Sequence, residues 1–231
     1  MPHPPGAAGR ALKPLTLIAF DATDIGPLAI PRIERSTDGT ARGTGGLTRF
    51  WRMGAALHRV ASRADRTLGA RSWREALRWA ASVCEETGRP LGELQAWGHG
   101  GWGYMGMGGE RLDEGALTSK SSPLAGEIDA LRASFGEGAL LWLRCCSAFG
   151  TSAGQRFAQA LTDRLGVRAA AHTYIIGAWQ SGAHSLAPGD RPSWSDREGV
   201  EVRSGGPVAQ VSTPFAPSTV TCLHFSLPPG Y

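Results

Sequence analysis

One histidine and one pair of cysteines carry the chemistry that this sequence indicates. His99 follows the apolar segment Leu94–Gly98, which is predicted to be a strand, and the glycines around it (WGHGG) leave room for a substrate. Cys145 and Cys146 come at the end of a second predicted strand, Ala139–Cys145. A thiol attacks a carbonyl carbon as the thiolate, and a nearby imidazole takes its proton. These residues therefore indicate nucleophilic catalysis by a Cys–His pair.

The elements around these residues alternate between strand and helix patterns. This alternation predicts an α/β sandwich whose central sheet is mainly parallel and flanked by helices, formed by residues 15–231 after a flexible leader, 1–14. The other predicted strands are Leu15–Phe20, Val167–Gly177 and Val220–Leu227. The predicted helices are Leu47–Ala64, Ser72–Thr87, Leu124–Phe135 and Ser152–Leu165. Two long loops are predicted, Asp21–Gly46 and Ala178–Pro192. Ligands of parallel sheets bind beyond the carboxyl ends of the strands, where His99 and the cysteines are expected to meet.

Side-chain periodicity gives further expectations about burial. Four apolar residues at helical spacing, Phe50, Met53, Leu57 and Val60, are expected to form the buried face of the first helix. Cys84, Cys145 and Cys222 are expected in the core, because free cysteine is usually buried. Consecutive strand residues point to opposite faces, so only one residue of the Cys145–Cys146 pair can face His99.

This arrangement resembles the caspase-like fold of clan CD cysteine peptidases, most closely the bacterial caspase-like domains. The likeness rests on WGHGG, on LWLRCCSAFG (141–150), on the G-x-x-F helix residues Gly154–Phe157 and on the strand that follows, and it covers residues 94–177. The resemblance implies a three-layer sandwich and a cysteine endopeptidase that works through a thioester on Cys146 and processes itself. It also implies that His99 is the general base and that the backbone N–H groups of Gly100 and Cys146 form the oxyanion hole.

Two residues are candidates for substrate recognition. Arg144 stands two positions before Cys146, where several caspase-like families line the pocket for the P1 residue, and an arginine there favours an acidic P1 side chain. Asp190, together with Asp196 and Glu198, offers the opposite possibility of a pocket for a basic P1 side chain.

Two other functions remain open. Gly150–Gly154 fits the G-x-S-x-G pattern of serine esterases, with Ser152 as nucleophile, Asp190 or Asp196 as the acid and His224 as the base. However, a nucleophile elbow needs serine directly after a strand, and His224 is predicted inside a strand. A caspase-like module that binds a partner without catalysis is the second alternative. The G-x-G-x-x-G spacing from Gly98 is a weak dinucleotide signal, because no helix is predicted to follow it.

Composition excludes several broad classes. The 231 residues include 22 Arg and 2 Lys, which are scattered along the chain rather than clustered as in a nucleic-acid-binding face. No apolar run reaches the length of a membrane helix, and four cysteines are too few for a disulfide scaffold. We therefore expect a cytoplasmic protein that acts on a protein or peptide substrate and needs neither a metal nor another cofactor.

Overall fold

The computed structural model describes residues 12–26, 34–42, 46–228 and 230–231. Most of the predicted leader and part of the predicted loop Asp21–Gly46 lie outside these residues. The helices are α1 (Thr48–Val60), α2 (Trp73–Thr87), α3 (Glu114–Thr118), α4 (Ala125–Ser134) and α5 (Thr151–Leu165). The strands are β1 (Leu15–Asp21), β2 (Glu34–Arg35), β3 (Ala41–Arg42), β4 (Arg66–Ala70), β5 (Leu91–Trp97), β6 (His99–Gly101), β7 (Tyr104–Met107), β8 (Glu110–Asp113), β9 (Phe135–Arg144), β10 (Arg168–His172), β11 (Trp179–Gln180), β12 (Ala183–Leu186), β13 (Val200–Arg203), β14 (Gly206–Ala209) and β15 (Val220–Thr221).

A six-stranded sheet organises the fold, in the order β12-β10-β9-β5-β1-β4. Five neighbouring strands, β10, β9, β5, β1 and β4, are parallel to one another. The sixth, β12, lies at the edge of the sheet and runs antiparallel to β10. The predicted α/β class with a mainly parallel sheet is therefore confirmed. Because all five parallel strands end at the same edge, the loops that follow them are brought together there.

Helices and loops cover both faces of this sheet and give three layers. On one face, α2, α4 and α5 bury the main core against alternate strand residues such as Leu17, Leu94 and Leu141. On the other face, α1 covers Ile18 and Phe20, while Val220 and Leu227 of the C-terminal segment cover Trp142. The alternation follows from the two-residue period of strands, and it separates Cys145 from its neighbours 144 and 146.

Several predicted elements differ from the structure. The edge strand β4 was not predicted. Its sequence, RTLGA, is short, and in the structure only Ala70 of this strand is fully buried. The glycine-rich region after His99 forms the antiparallel sheet β6-β7-β8 and opens no helix, so it is not a dinucleotide fingerprint. The predicted strand Val220–Leu227 is wrong beyond Thr221, where the chain turns.

The predicted orientation of the first helix is wrong. Phe50, Met53, Leu57 and Val60 are exposed (42, 67, 44 and 85%), and α1 instead buries Thr48, Ala55 and His58. Helix α1 therefore has apolar side chains on two sides, and periodicity alone could not show which side packs on the sheet. Cys222 is also exposed, contrary to prediction, whereas Cys84 and Cys145 are buried as predicted.

None of the helices in the described part of the chain has both the length and the apolar character needed to cross a bilayer.

Candidate active site

The register of β5 and β9 brings the predicted catalytic residues to one edge of the sheet. Trp97, the last residue of β5, pairs with Arg144, the last residue of β9. His99 and Cys146 each follow two residues later, just beyond the carboxyl ends of these neighbouring parallel strands. A one-residue shift in this pairing would move one of them away from the other, so the ladder sets their separation.

Gly100 is the point where the histidine segment touches the cysteine pair. A Cβ atom at this position would lie 2.5 Å from the carbonyl oxygen of Cys146 and 2.8 Å from Sγ of Cys145. A side chain here would therefore collide with the backbone of Cys146, which explains the need for glycine next to His99. The β6 backbone packs directly on residues 145–146.

Asp24 holds the imidazole of His99. Nε2 of His99 lies 3.0 Å from Oδ2 of Asp24, and the same oxygen accepts the backbone N–H of Leu47 at 2.8 Å, just before α1. The ring of Trp51, on the first turns of α1, contacts the imidazole edge-on with 5.4 Å between centroids. With Nε2 donating to a carboxylate, Nδ1 carries the lone pair and is the nitrogen that can accept a proton.

The two cysteines occupy different surroundings, as strand alternation predicted. Cys145 belongs to the main core and is 1% exposed, and burial raises its pKa well above the ordinary thiol value. Cys146 is half-buried, with Sγ 3.9 Å from the carbonyl oxygen of Ile176, and desolvation raises the pKa of its thiol to about 11. Both side chains are therefore protonated thiols at neutral pH.

The segment after Cys146 turns sharply. Ser147 is fully buried with a φ of 53°, and its N–H donates to the carbonyl oxygen of Tyr174 at 2.9 Å. Phe149 N–H donates to the carbonyl oxygen of His172 at 3.0 Å. These two bonds fasten the turn to the end of β10 and fix the direction in which the Cys146 backbone faces.

Arg144 is placed inside the protein rather than in an open pocket. Its guanidinium donates to side-chain oxygens of Gln180 and Gln95 and to the carbonyl oxygens of Thr221, Cys222 and His224, at 2.9–3.3 Å. It is 4% exposed and lies over the rings of Trp97 and Trp142. Burial lowers its pKa to about 10, so it remains charged at neutral pH. These bonds use all five N–H groups that an arginine has.

The other predicted recognition residue, Asp190, is not brought to this edge. It is exposed in a turn after β12, and because β12 is antiparallel, its last residue, Leu186, pairs with Ala169 near the start of β10. That is the edge opposite His99 and Cys146. Glu198, named with it, instead accepts hydrogen bonds from His184 and Thr173, both at 2.8 Å.

The residues of the serine-esterase alternative do not form a nucleophile elbow. Ser152 is exposed in the first turn of α5, whereas β9 ends at Arg144. His224 is exposed in a turn after β15, rather than in a strand as predicted, and its Nδ1 faces the N–H and hydroxyl of Thr221. An elbow needs the serine between the strand and the helix.

Asp24 and Trp51 were not identified from the sequence. Both approach His99 from elements far away in the chain, and the loop that carries Asp24 had no recognisable pattern. The available signal was position: Asp21 is the last residue of β1, the strand that pairs with β5, and Asp24 follows three residues later. A carboxylate at that edge is a candidate partner for His99.

Two surface pockets lie away from the edge that carries His99 and Cys146, and the described residues contain no candidate metal centre. Their volumes are about 400 and 470 Å³, and neither is lined by His99 or Cys146. Across residues 12–26, 34–42, 46–228 and 230–231, no group of three or more His, Cys, Asp or Glu side chains is arranged to hold a metal ion.

Comparisons with family models, with curated proteins and with solved structures found no match to this chain.

Proposed function

We propose that this protein is a cysteine endopeptidase of the caspase-like type, with Cys146 as nucleophile and His99 as general base. The observation that carries the proposal is the pairing of Trp97 with Arg144, which sets His99 and Cys146 on neighbouring strand ends. The strand order, with one antiparallel strand at the edge, supports the resemblance on which the caspase-like part of the proposal rests.

The reaction begins when His99 Nδ1 takes the proton of the Cys146 thiol and the sulfur attacks the carbonyl carbon of the scissile peptide bond. The tetrahedral intermediate collapses when the imidazolium gives its proton to the leaving amine, and a thioester remains on Cys146. His99 then removes a proton from a water molecule that attacks the thioester. The acid product leaves, and Cys146 regains its thiol proton.

The backbone N–H groups of Cys146 and Gly100 are proposed to stabilise the negative oxygen of the tetrahedral intermediate. No acceptor within the described residues receives the N–H of Cys146. In the β6–β7 hairpin, Gly101 and Tyr104 form the pair next to the turn, and Gly100 pairs with Met105 one position further along. Hydrogen-bonded and non-hydrogen-bonded pairs alternate along an antiparallel ladder, so the N–H of Gly100 points away from β7. The close packing of Gly100 on the backbone of Cys146, whose carbonyl oxygen would lie 2.5 Å from a Cβ at position 100, supports this pairing of donors.

An acidic P1 side chain would have no free donor at Arg144, since the guanidinium already binds five oxygen atoms inside the protein. We therefore leave the P1 preference out of the proposed activity and assign Arg144 to the support of the site. The proposed substrate remains a peptide bond in a protein or peptide.

Alkylation of Cys146 tests the role of His99 as a base. Because desolvation raises the thiol pKa to about 11, the thiolate fraction of the free enzyme should grow with pH. The rate of iodoacetamide labelling at Cys146, followed by mass spectrometry of the modified peptide, should rise about tenfold per pH unit between pH 7 and 9. A rate that is already constant from pH 6 upward would instead show a preformed thiolate–imidazolium pair and would contradict the proposed proton transfer.

Asp24→Asn tests the positioning of His99. The amide has no charge to stabilise the imidazolium and can present its NH₂ group to Nε2, which favours the tautomer with the proton on Nδ1. We expect kcat for peptide cleavage to fall about 10²- to 10⁴-fold with little change in KM.

The control for this variant is Asp163→Asn, an exposed carboxylate on α5 that should leave kcat unchanged. Since Asp24 also accepts the Leu47 N–H, the thermal stability of both variants is measured beside their activity. A fall in stability without any fall in kcat would mean that Asp24 only supports the start of α1.

A further inference from the structure

Helix α1 presents an apolar stripe to solvent, formed by Phe50, Met53, Leu57 and Val60. Their side chains are between 42 and 85% exposed, because α1 packs on the sheet through its other side. The successive spacings are three, four and three residues, and the four positions fall within an arc of about 80° around the helix. This narrow seam has the a/d spacing of helices that pair with another helix.

The side of α1 next to this stripe is positively charged. Arg49, Arg52 and Arg59 are exposed, and α1 contains neither aspartate nor glutamate. In the described part of the chain, none of these three arginines forms an ion pair. An occupant of the stripe would therefore be favoured if it carried acidic side chains beside its apolar ones.

We infer that the α1 stripe is a docking surface for an acidic amphipathic helix of another protein. Such a helix would place apolar side chains at a/d spacing against Phe50, Met53, Leu57 and Val60 and carboxylates against the arginines. A second copy of α1 fits less well, because it would bring arginines against arginines. Residues 27–33 (PLAIPRI) of this chain are also a poorer occupant, because they have no acidic side chain and contain Arg32 and two prolines. A bilayer surface favours a broader apolar face than this seam.

The docking surface is connected to the candidate active site through the first turns of α1. Trp51 contacts His99, and the hydroxyl of Thr48 donates to the carbonyl oxygen of Asp21 at 2.9 Å. Asp24 binds both His99 and the N–H of Leu47. A helix bound along α1 would thus lie against the element that holds the imidazole, although the docking itself does not depend on peptidase activity.

A designed three-heptad peptide tests this inference with the intact chain. The probe has leucine at the a and d positions and glutamate at e and g, carries a fluorescent label, and is titrated with protein while anisotropy is measured. A second peptide with lysine at e and g is the control for charge. We expect the acidic peptide to bind and the basic peptide to bind at least about tenfold more weakly.

Variants locate the binding on the stripe. Met53→Glu and Leu57→Glu should each weaken the binding of the acidic peptide by about tenfold or more. Arg49→Glu should also weaken its binding, by an amount that depends on the salt concentration. Val202→Glu, which alters an exposed valine on β13, away from α1, is the control and should bind normally. Failure of the acidic peptide to bind, equal binding of both peptides, or binding unaffected by Met53→Glu and Leu57→Glu would overturn the inference. Two other results would also overturn it if the peptide does not bind: sedimentation of the protein with phosphatidylserine vesicles, or a protein dimer that Leu57→Glu dissociates.

Discussion

Cys146→Ala should reduce peptide cleavage about 10⁴-fold or more, because it removes the atom that forms the thioester. The measurement compares the wild-type chain with the variant on a fluorogenic peptide library and on casein. The same comparison follows the purified chain by intact mass over several days. Any self-cleavage that the wild-type protein shows should be absent in Cys146→Ala.

Cys145→Ala is the matched control, since it changes the adjacent thiol. Cys145 is buried in the main core, so its substitution leaves a small cavity and should lower the free energy of unfolding by about 1 kcal/mol while cleavage is retained. If Cys145→Ala abolished cleavage and Cys146→Ala did not, the nucleophile would be assigned to the wrong cysteine. If neither substitution affected cleavage, the thiol mechanism would be excluded.

Arg144→Met should be among the most destabilising substitutions in this chain, costing about 3 kcal/mol of the free energy of unfolding. The guanidinium joins the end of β9 to Gln95, to Gln180 and to three carbonyl oxygens at 221–224, and methionine would leave all five acceptors without these donors. Urea denaturation measures the loss. Limited proteolysis should show earlier cutting of the C-terminal segment, which is fastened to the sheet through these bonds.

Two further variants decide between support and substrate binding by Arg144. Arg144→Lys keeps the charge but cannot reach all five acceptors. Its free energy of unfolding should therefore lie between those of Arg144→Met and the wild-type protein. Arg203→Met removes an exposed arginine on β13 and should change the free energy of unfolding by no more than about 0.5 kcal/mol. If Arg144→Met were as stable as Arg203→Met but lost cleavage after acidic residues, Arg144 would instead be the P1-binding residue.

The parts of the fold that sequence could predict are those with strong local patterns. The apolar strands ending before His99 and at the cysteines predicted the parallel sheet and the edge of it that carries the candidate site. Ser72 caps α2 by accepting the N–H of Glu75, and glycines with left-handed backbone end α2 and α5, so these helices also had clear boundaries. Strand alternation correctly separated buried Cys145 from half-buried Cys146.

The remaining features depend on contacts between distant residues. Asp24 meets His99 across 75 positions, and Arg144 finds its acceptors in the segment 221–224, where no pattern marks a partner. The exposed stripe of α1 looks like a core face in sequence, because periodicity shows that a face exists but not what covers it. Sequence could name His99 and Cys146 as candidates, whereas Asp24 and Trp51, which contact His99, could not be named from it.

The central claim is that Cys146, activated by His99, forms an acyl-enzyme. Its most direct test is to treat the intact chain with p-nitrophenyl acetate, quench with acid and locate the acetyl group by peptide mass spectrometry. We expect acetylation of Cys146 in the wild-type protein, much slower acetylation in His99→Ala and none in Cys146→Ala. Acetylation of Ser152, or acetylation of Cys146 at the same rate without His99, would contradict the proposed site.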